Sequence, residues 1–193
     1  MVKEWVENLA ALIPCYERQG GNGTLVYRTG GEIITDRRTV KWNLYRLARY
    51  FCVDLDALRK SCGEYLGMHH GVPLPLTASL VLVPLKVREV LAKNDGCSGY
   101  FNSAAVTGYF AGKNRNTTEI ILQGGRQINV LFSEHTVRKR LKAAGLAREC
   151  FQRQRRQDGN GHCGDRCSLQ RAALEPLLLV LLQQISKGDE PSA

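Results

Sequence analysis

The sequence predicts an α+β fold, in which N-terminal helices and a hairpin surround a central antiparallel β-rich unit that C-terminal helices follow. Apolar residues recur at helical spacing in the first 66 residues. Residues 72–132 instead contain short, evenly spaced apolar segments with polar turns between them, which is typical of an antiparallel sheet or a small barrel. Helical spacing returns after residue 133 and places further helices behind the sheet.

The N-terminal third is predicted to hold three helices and one hairpin. The helices cover residues 2–13, 40–51 and 55–66. Pro14 ends the first helix, because proline cannot donate a helical hydrogen bond. Between the first two helices, strands at residues 24–27 and 32–35 flank a glycine-containing turn at residues 28–31.

Five strands make up the predicted central unit. They cover residues 76–85, 99–102, 105–110, 117–122 and 127–131. Pro84 indicates the end of the first of these strands or an edge position. Glycine-containing turns at residues 112–116 and 123–126 separate the last three.

A helix capped by Ser133 is predicted to follow the sheet and to end near Ala147. Residues 1–150 then form one domain, residues 151–168 a basic linker, and residues 169–193 a C-terminal helix and tail. The apolar run in that last helix is either buried in a core or an anchor for a partner.

The chain carries an excess of positive charge. Its 27 Lys and Arg residues outnumber 18 Asp and Glu residues, so the formal net charge is +9. Each phosphate that Lys or Arg neutralises releases a condensed counterion, so this excess favours a polyanionic partner. We therefore expect nucleic acid, the alternative being a basic protein with no such partner.

The first residues predict no export signal, since Lys3, Glu4 and Glu7 interrupt them and no long apolar segment follows. The longest apolar run, Leu177 to Leu182, is too short to span a bilayer. We therefore expect the seven cysteines to be reduced thiols. We also expect a cytoplasmic protein with no membrane partner.

The residue pattern predicts neither an enzyme nor a bound cofactor. No nucleophile motif, phosphate loop or carboxylate cluster is present. The one metal-like spacing is His162, Cys163 and Cys167, to which Cys150 could add the fourth ligand that zinc needs. A cysteine-containing linker without metal is the simpler interpretation, and no metal is predicted.

Basic residues cluster in two parts of the chain, and they are the predicted DNA contacts. The set comprises Lys86, Arg88, Lys113, Arg115, Arg138, Lys139, Arg140 and Lys142. Like charges one helical turn apart repel, and bound phosphates would relieve that repulsion in the last four. A solvated helix face and an ordinary polar hairpin tip are the competing interpretations.

Several segments between residues 49 and 148 resemble the competence transcription factor (ComK) family. They are Arg49-Tyr50-Phe51 with Arg59-Lys60, Gly63 and Gly67; Val72 to Leu76; Leu82 to Leu85; Cys97 with Gly99-Tyr100-Phe101; Thr118 to Leu122 with Gly125, Ile128 and Val130; and Ser133, Thr136 and Leu141. The segment from the sheet to the following helix is also similar to the LytTR-type DNA-binding domain.

The resemblance implies a bacterial transcriptional activator that binds AT-rich promoter DNA as a homo-oligomer and promotes expression of DNA-uptake genes for competence. It further implies contacts with RNA polymerase and with a proteolytic adaptor. The alternatives are a LytTR-like regulator of other genes and an RNA-binding or ribosome-associated protein, which would need exposed aromatic side chains on which bases stack. For that platform the sequence offers Tyr100, Phe101, Tyr109 and Phe110.

Overall fold

The computed structural model describes residue 6 and residues 8–17, 20–91 and 95–160. The chain separates into two units, Met1–Gln152 and Arg153–Ala193, and all the elements below except the end of the last helix belong to the first. The strands are β1 (Leu9–Tyr16), β2 (Asn22–Arg28), β3 (Ile33–Asp36), β4 (Leu74–Pro75), β5 (Val81–Lys86), β6 (Ser98–Asn102), β7 (Val106–Ala111), β8 (Thr118–Leu122) and β9 (Gln127–Val130). The helices are α1 (Val40–Tyr50), α2 (Leu55–Leu66) and α3 (Glu134–Asn160).

The strands form two antiparallel sheets, which confirms the α+β class. Six strands pair in the order β3-β2-β1-β6-β5-β4, and three pair in the order β7-β8-β9. The predicted central unit is therefore not one sheet. Its first two predicted strands, at residues 76–85 and 99–102, correspond to β5 and β6. With β4 they complete a sheet that the N-terminal strands begin, because β1 pairs with both β2 and β6.

The predicted helix at residues 2–13 is wrong for residues 9–13, which belong to β1. This strand lies inside the six-stranded sheet, and its first six residues, Leu9 to Pro14, are all buried. A strand that is covered on both faces loses the alternation of apolar and polar residues, so its apolar run imitates a helix.

Two apolar cores lie on opposite faces of the six-stranded sheet. On one face, Leu44 and Leu47 of α1 belong to the cluster that contains Leu12 and Leu82 of the sheet. On the other face, Phe101 of β6 belongs to the cluster formed with the three-stranded sheet and α3. The helices α1 and α3 therefore pack on opposite sides of the sheet.

Local capping explains where α1 and α2 begin and end, and both predicted helices are confirmed. The Thr39 hydroxyl accepts a hydrogen bond from the Trp42 amide at 3.2 Å, and the Asp54 carboxylate caps α2 in the same way. Gly67 ends α2 in the left-handed conformation, with φ of 62°, where glycine carries no steric penalty.

Two elements differ in extent from the prediction. A turn interrupts the strand predicted for residues 76–85, because the Leu80 amide donates to the Thr77 carbonyl. The strand β5 therefore begins only at Val81. Helix α3 extends to Asn160, well past Ala147, because Gln and Arg are good helix formers and no proline interrupts them. Residues 151–160 of the predicted linker are thus helical, and the remaining linker and C-terminal helix lie outside the described residues.

Candidate nucleic-acid interface

The outward face of α3 carries mostly positive charge. Val137, Ala144 and Ala147 turn inward and are buried. The exposed positions between them recur every three or four residues, as expected for one side of a helix. Those that are basic are His135, Arg138, Lys139 and Lys142. Glu149 is the acidic exception on this face.

Only one of the basic side chains on this face has an acidic partner among the described residues. Arg138 Nη2 lies 2.7 Å from Glu134 Oε1. The Tyr109 hydroxyl and the Glu134 carboxylate raise the pKa of Arg138, so its positive charge is secure. Within the described part of the chain, no ion pair engages Lys139 or Lys142. Both ammonium groups are exposed and available to an anion.

A groove of about 540 Å³ runs between this face of α3 and the C-terminal end of α2. Leu66, Gly67 and Met68 line one side of it. The other side is lined by His135, Arg138, Lys139, Lys142, Ala143 and Leu146. Much of the groove's lining is apolar and its polar part is cationic, so the basic side chains of α3 are the groups there that can bind an anion.

The turn between β7 and β8 lies at the same end of the three-stranded sheet as the start of α3. Thr118, the first residue after the turn, pairs with Val130, and its hydroxyl donates to the Phe132 carbonyl at 2.8 Å. The turn itself exposes Lys113 and Arg115. Five of the eight predicted contacts are therefore exposed near one end of the fold: Lys113, Arg115, Arg138, Lys139 and Lys142. We call these five side chains the α3 surface.

Arg140 is part of the fold and does not belong to the α3 surface. Its Nη1 donates to the Pro84 carbonyl, and its guanidinium lies 4.3 Å from the centre of the Phe132 ring. The guanidinium also occupies the space beside Gly71 where a Cβ would be. Burial lowers the pKa of Arg140, as expected for a charge held away from water.

We expect Arg140→Ala to destabilise the protein without removing a DNA contact. Loss of the hydrogen bond and of the packing on Phe132 lowers the free energy of unfolding by about 2 kcal/mol. Urea denaturation measures this loss, and Lys139→Ala on the exposed face is the control, with an effect below about 0.5 kcal/mol. Equal effects of the two substitutions would contradict the assignment.

The other two predicted contacts are also held by neighbours. Arg88 donates to the Gly96 carbonyl at 2.9 Å and to Asn22, and it lies 3.9 Å from the centre of the Tyr16 ring. Lys86 is paired with Glu89 at 2.8 Å. Lys86 and Arg88 therefore stay predicted contacts that lie outside the α3 surface.

The four aromatic residues considered for base stacking differ in burial, and Phe110 is 44% exposed. Phe101 is completely buried and offers no surface for bases, and Tyr100 is partly buried against the first core. Trp42 and Tyr45 follow the apolar spacing of α1, but they are 42% and 39% exposed. Their spacing of four residues from Arg46 and Arg49 is the sequence signal that groups these rings with cations on one side of the helix.

The described residues contain no group of three metal-ligating side chains. Of the four zinc candidates, only Cys150 lies among them, and His162, Cys163 and Cys167 lie outside. Burial, with a smaller effect of the neighbouring Cys150 thiol, raises the pKa of Cys62 to about 11.

No described helix is long and apolar enough to cross a membrane.

Comparison with known proteins returned no match: no family model, no curated protein and no solved structure is significantly similar to this chain.

Proposed function

We propose that this protein binds duplex DNA through the α3 surface and acts as a transcriptional activator. The observation that carries the proposal is the pair of exposed ammonium groups of Lys139 and Lys142 beside the groove along α3, since neither engages a described acidic residue. Such an arrangement costs repulsion in the free protein, and phosphate binding relieves it.

The two parts of the α3 surface would contact DNA in different ways. Lys139 and Lys142 neutralise phosphates, which fixes the position of the helix on the duplex but reads no sequence. Arg115 is exposed on the turn between β7 and β8 and would enter a minor groove. The minor groove of AT-rich DNA is narrow and strongly negative, so an arginine there favours AT-rich sites.

The biological role rests on the resemblance to the competence transcription factor family. On that basis the protein acts in the bacterial cytoplasm, binds AT-rich promoters as a homo-oligomer and promotes expression of DNA-uptake genes. RNA polymerase and a proteolytic adaptor are its further partners on the same basis. A LytTR-like regulator of other genes would use the same surface without the preference for AT-rich sites.

A fluorescence-anisotropy titration with AT-rich and GC-rich duplexes tests the proposal. Phosphate contacts by the four side chains other than Arg115 give a salt slope of about −3.6, so raising salt from about 50 to about 200 mM weakens binding on the order of 150-fold. We also expect tighter binding to the AT-rich duplex, and Arg115→Gln to reduce that preference. Salt-sensitive binding without the preference would favour the LytTR-like regulator, and no binding to either duplex would refute DNA binding.

A further inference from the structure

Helix α1 presents aromatic side chains to solvent on a helix that is otherwise well packed. Trp42, Tyr45 and Tyr50 are 42%, 39% and 43% exposed. The buried side of the helix already contains Val40, Leu44, Leu47 and Ala48. The aromatic residues are therefore not needed to cover this core, and exposed tryptophan and tyrosine side chains grouped together are characteristic of binding surfaces.

Basic side chains surround these aromatic rings. Between Asp36 and Tyr50 the chain contains five basic residues and a single acidic one. The Arg38 guanidinium lies 4.1 Å from the centre of the Trp42 ring, and that of Arg46 lies 5.2 Å from it. A guanidinium stacked on a ring keeps its N–H edge available for an anion. Arg46 also pairs with Asp36 at 3.8 Å, whereas Arg38 is exposed.

A depression of about 450 Å³ lies beside these side chains. Its lining comprises Thr39, Lys41, Trp42, Tyr45, Arg46 and Arg49. The Tyr45 hydroxyl donates to the Asp56 carboxylate at 2.9 Å, which holds the ring in place at the edge of the depression. We call the residues that line it, together with Arg38, the α1 surface. The α1 surface therefore places aromatic rings and basic side chains next to one another on the exposed side of one helix.

The α1 surface is separate from the α3 surface. Helix α1 packs on the core at one face of the six-stranded sheet, and α3 packs on the core at the opposite face. The six-stranded sheet lies between the two helices, so the outward side of α1 and the outward side of α3 are different surfaces of the protein. The α1 surface therefore needs a ligand of its own.

We propose that the α1 surface binds single-stranded nucleic acid, with bases stacked on Trp42 and Tyr45 and phosphates held by Arg38, Lys41 and Arg49. Proteins that bind single strands combine cations along the backbone with aromatic rings under successive bases. Bases within a duplex are already stacked on one another and are not available to these rings. A base stacks on tryptophan more strongly than an exposed guanidinium does, so it displaces Arg38 from the ring and leaves that side chain for a phosphate.

The test uses the full-length protein and a fluorescein-labelled 20-nucleotide oligothymidylate. We expect Trp42→Leu to weaken its binding about tenfold, because one stacked base is lost. Tyr65→Leu is the matched control, since Tyr65 is 58% exposed on α2 outside the α1 surface, and it leaves the affinity unchanged. Arg49→Gln, which removes an exposed charge and no packing, lowers the salt slope by about 0.7.

The same variants separate this proposal from duplex binding. Trp42→Leu leaves duplex affinity within about twofold, whereas Lys139→Gln with Lys142→Gln weakens duplex binding and spares the oligothymidylate. The proposal is overturned if Trp42→Leu and Arg49→Gln both bind the oligothymidylate like the wild type, or if the wild type does not bind it. Displacement of the oligothymidylate by polyglutamate at equal charge concentration would also overturn it, in favour of an acidic protein partner.

Discussion

Removing three positive charges from α3, by Arg138→Gln, Lys139→Gln and Lys142→Gln together, is expected to weaken duplex binding on the order of 10²–10³-fold at about 100 mM salt. Each side chain is exposed, so the fold does not depend on them. Each lost phosphate contact also reduces the magnitude of the salt slope by about 0.9, so the three substitutions together make the slope shallower by about 2.7. Anisotropy titrations at three or more salt concentrations measure both changes.

A second triple variant separates a local contact from a general effect of charge. Arg37→Gln, Lys41→Gln and Lys60→Gln remove the same charge from exposed positions outside the α3 surface. Both variants have a net charge of +6, which is +9 minus three. We expect the control to lose less than about tenfold in duplex affinity, because it acts only through long-range attraction that salt screens. Equal losses in the two variants would show that DNA is attracted by net charge and does not dock on α3.

Phe101→Ala is expected to lower the free energy of unfolding by about 3–5 kcal/mol. Phe101 is 0% exposed in β6, opposite Ala11 of β1 and Val83 of β5. Its ring fills the core between the six-stranded sheet and the elements β7–β9 and α3. A cavity at this position weakens the packing of the six-stranded sheet against β7–β9 and α3. Because domains of this size are stable by about 5–15 kcal/mol, the variant approaches the limit of stability.

Phe110→Ala is the matched control for that prediction. Phe110 lies in β7 and is 44% exposed, so its removal leaves no closed cavity and costs less than about 1 kcal/mol. Chemical denaturation monitored by circular dichroism compares the two variants under the same conditions. Equal destabilisation of the Phe101 and Phe110 variants would contradict the burial of Phe101 in the core beneath β6.

Several elements followed from local chemistry. Helices α1 and α2 were predictable because Thr39 and Asp54 cap them and their apolar residues keep helical spacing. The strands of the small sheet were equally clear, since glycine-containing turns separate short apolar segments. These features depend only on residues close together in the chain.

The candidate contacts were less predictable than the strands and helices. Clustering in the sequence selected eight basic residues, but Arg140 and Arg88 bond to carbonyl groups and aromatic rings far away in the chain. Conversely, Trp42 belongs to an apolar pattern in the sequence, and only its 42% exposure shows that it lies at the surface. Whether a cation or an aromatic ring meets solvent depends on what other segments place beside it.

The amino-acid sequence by itself determined the α+β class, the caps and turns, and the strong positive charge, because each follows from composition or from neighbours in the chain. The tertiary structure alone decided that residues 9–13 form a strand buried inside a six-stranded sheet. It also decided which basic side chains remain exposed on α3 and which ones hold the fold together. Both outcomes depend on contacts between distant segments, and local propensity is too weak to override the burial those contacts provide.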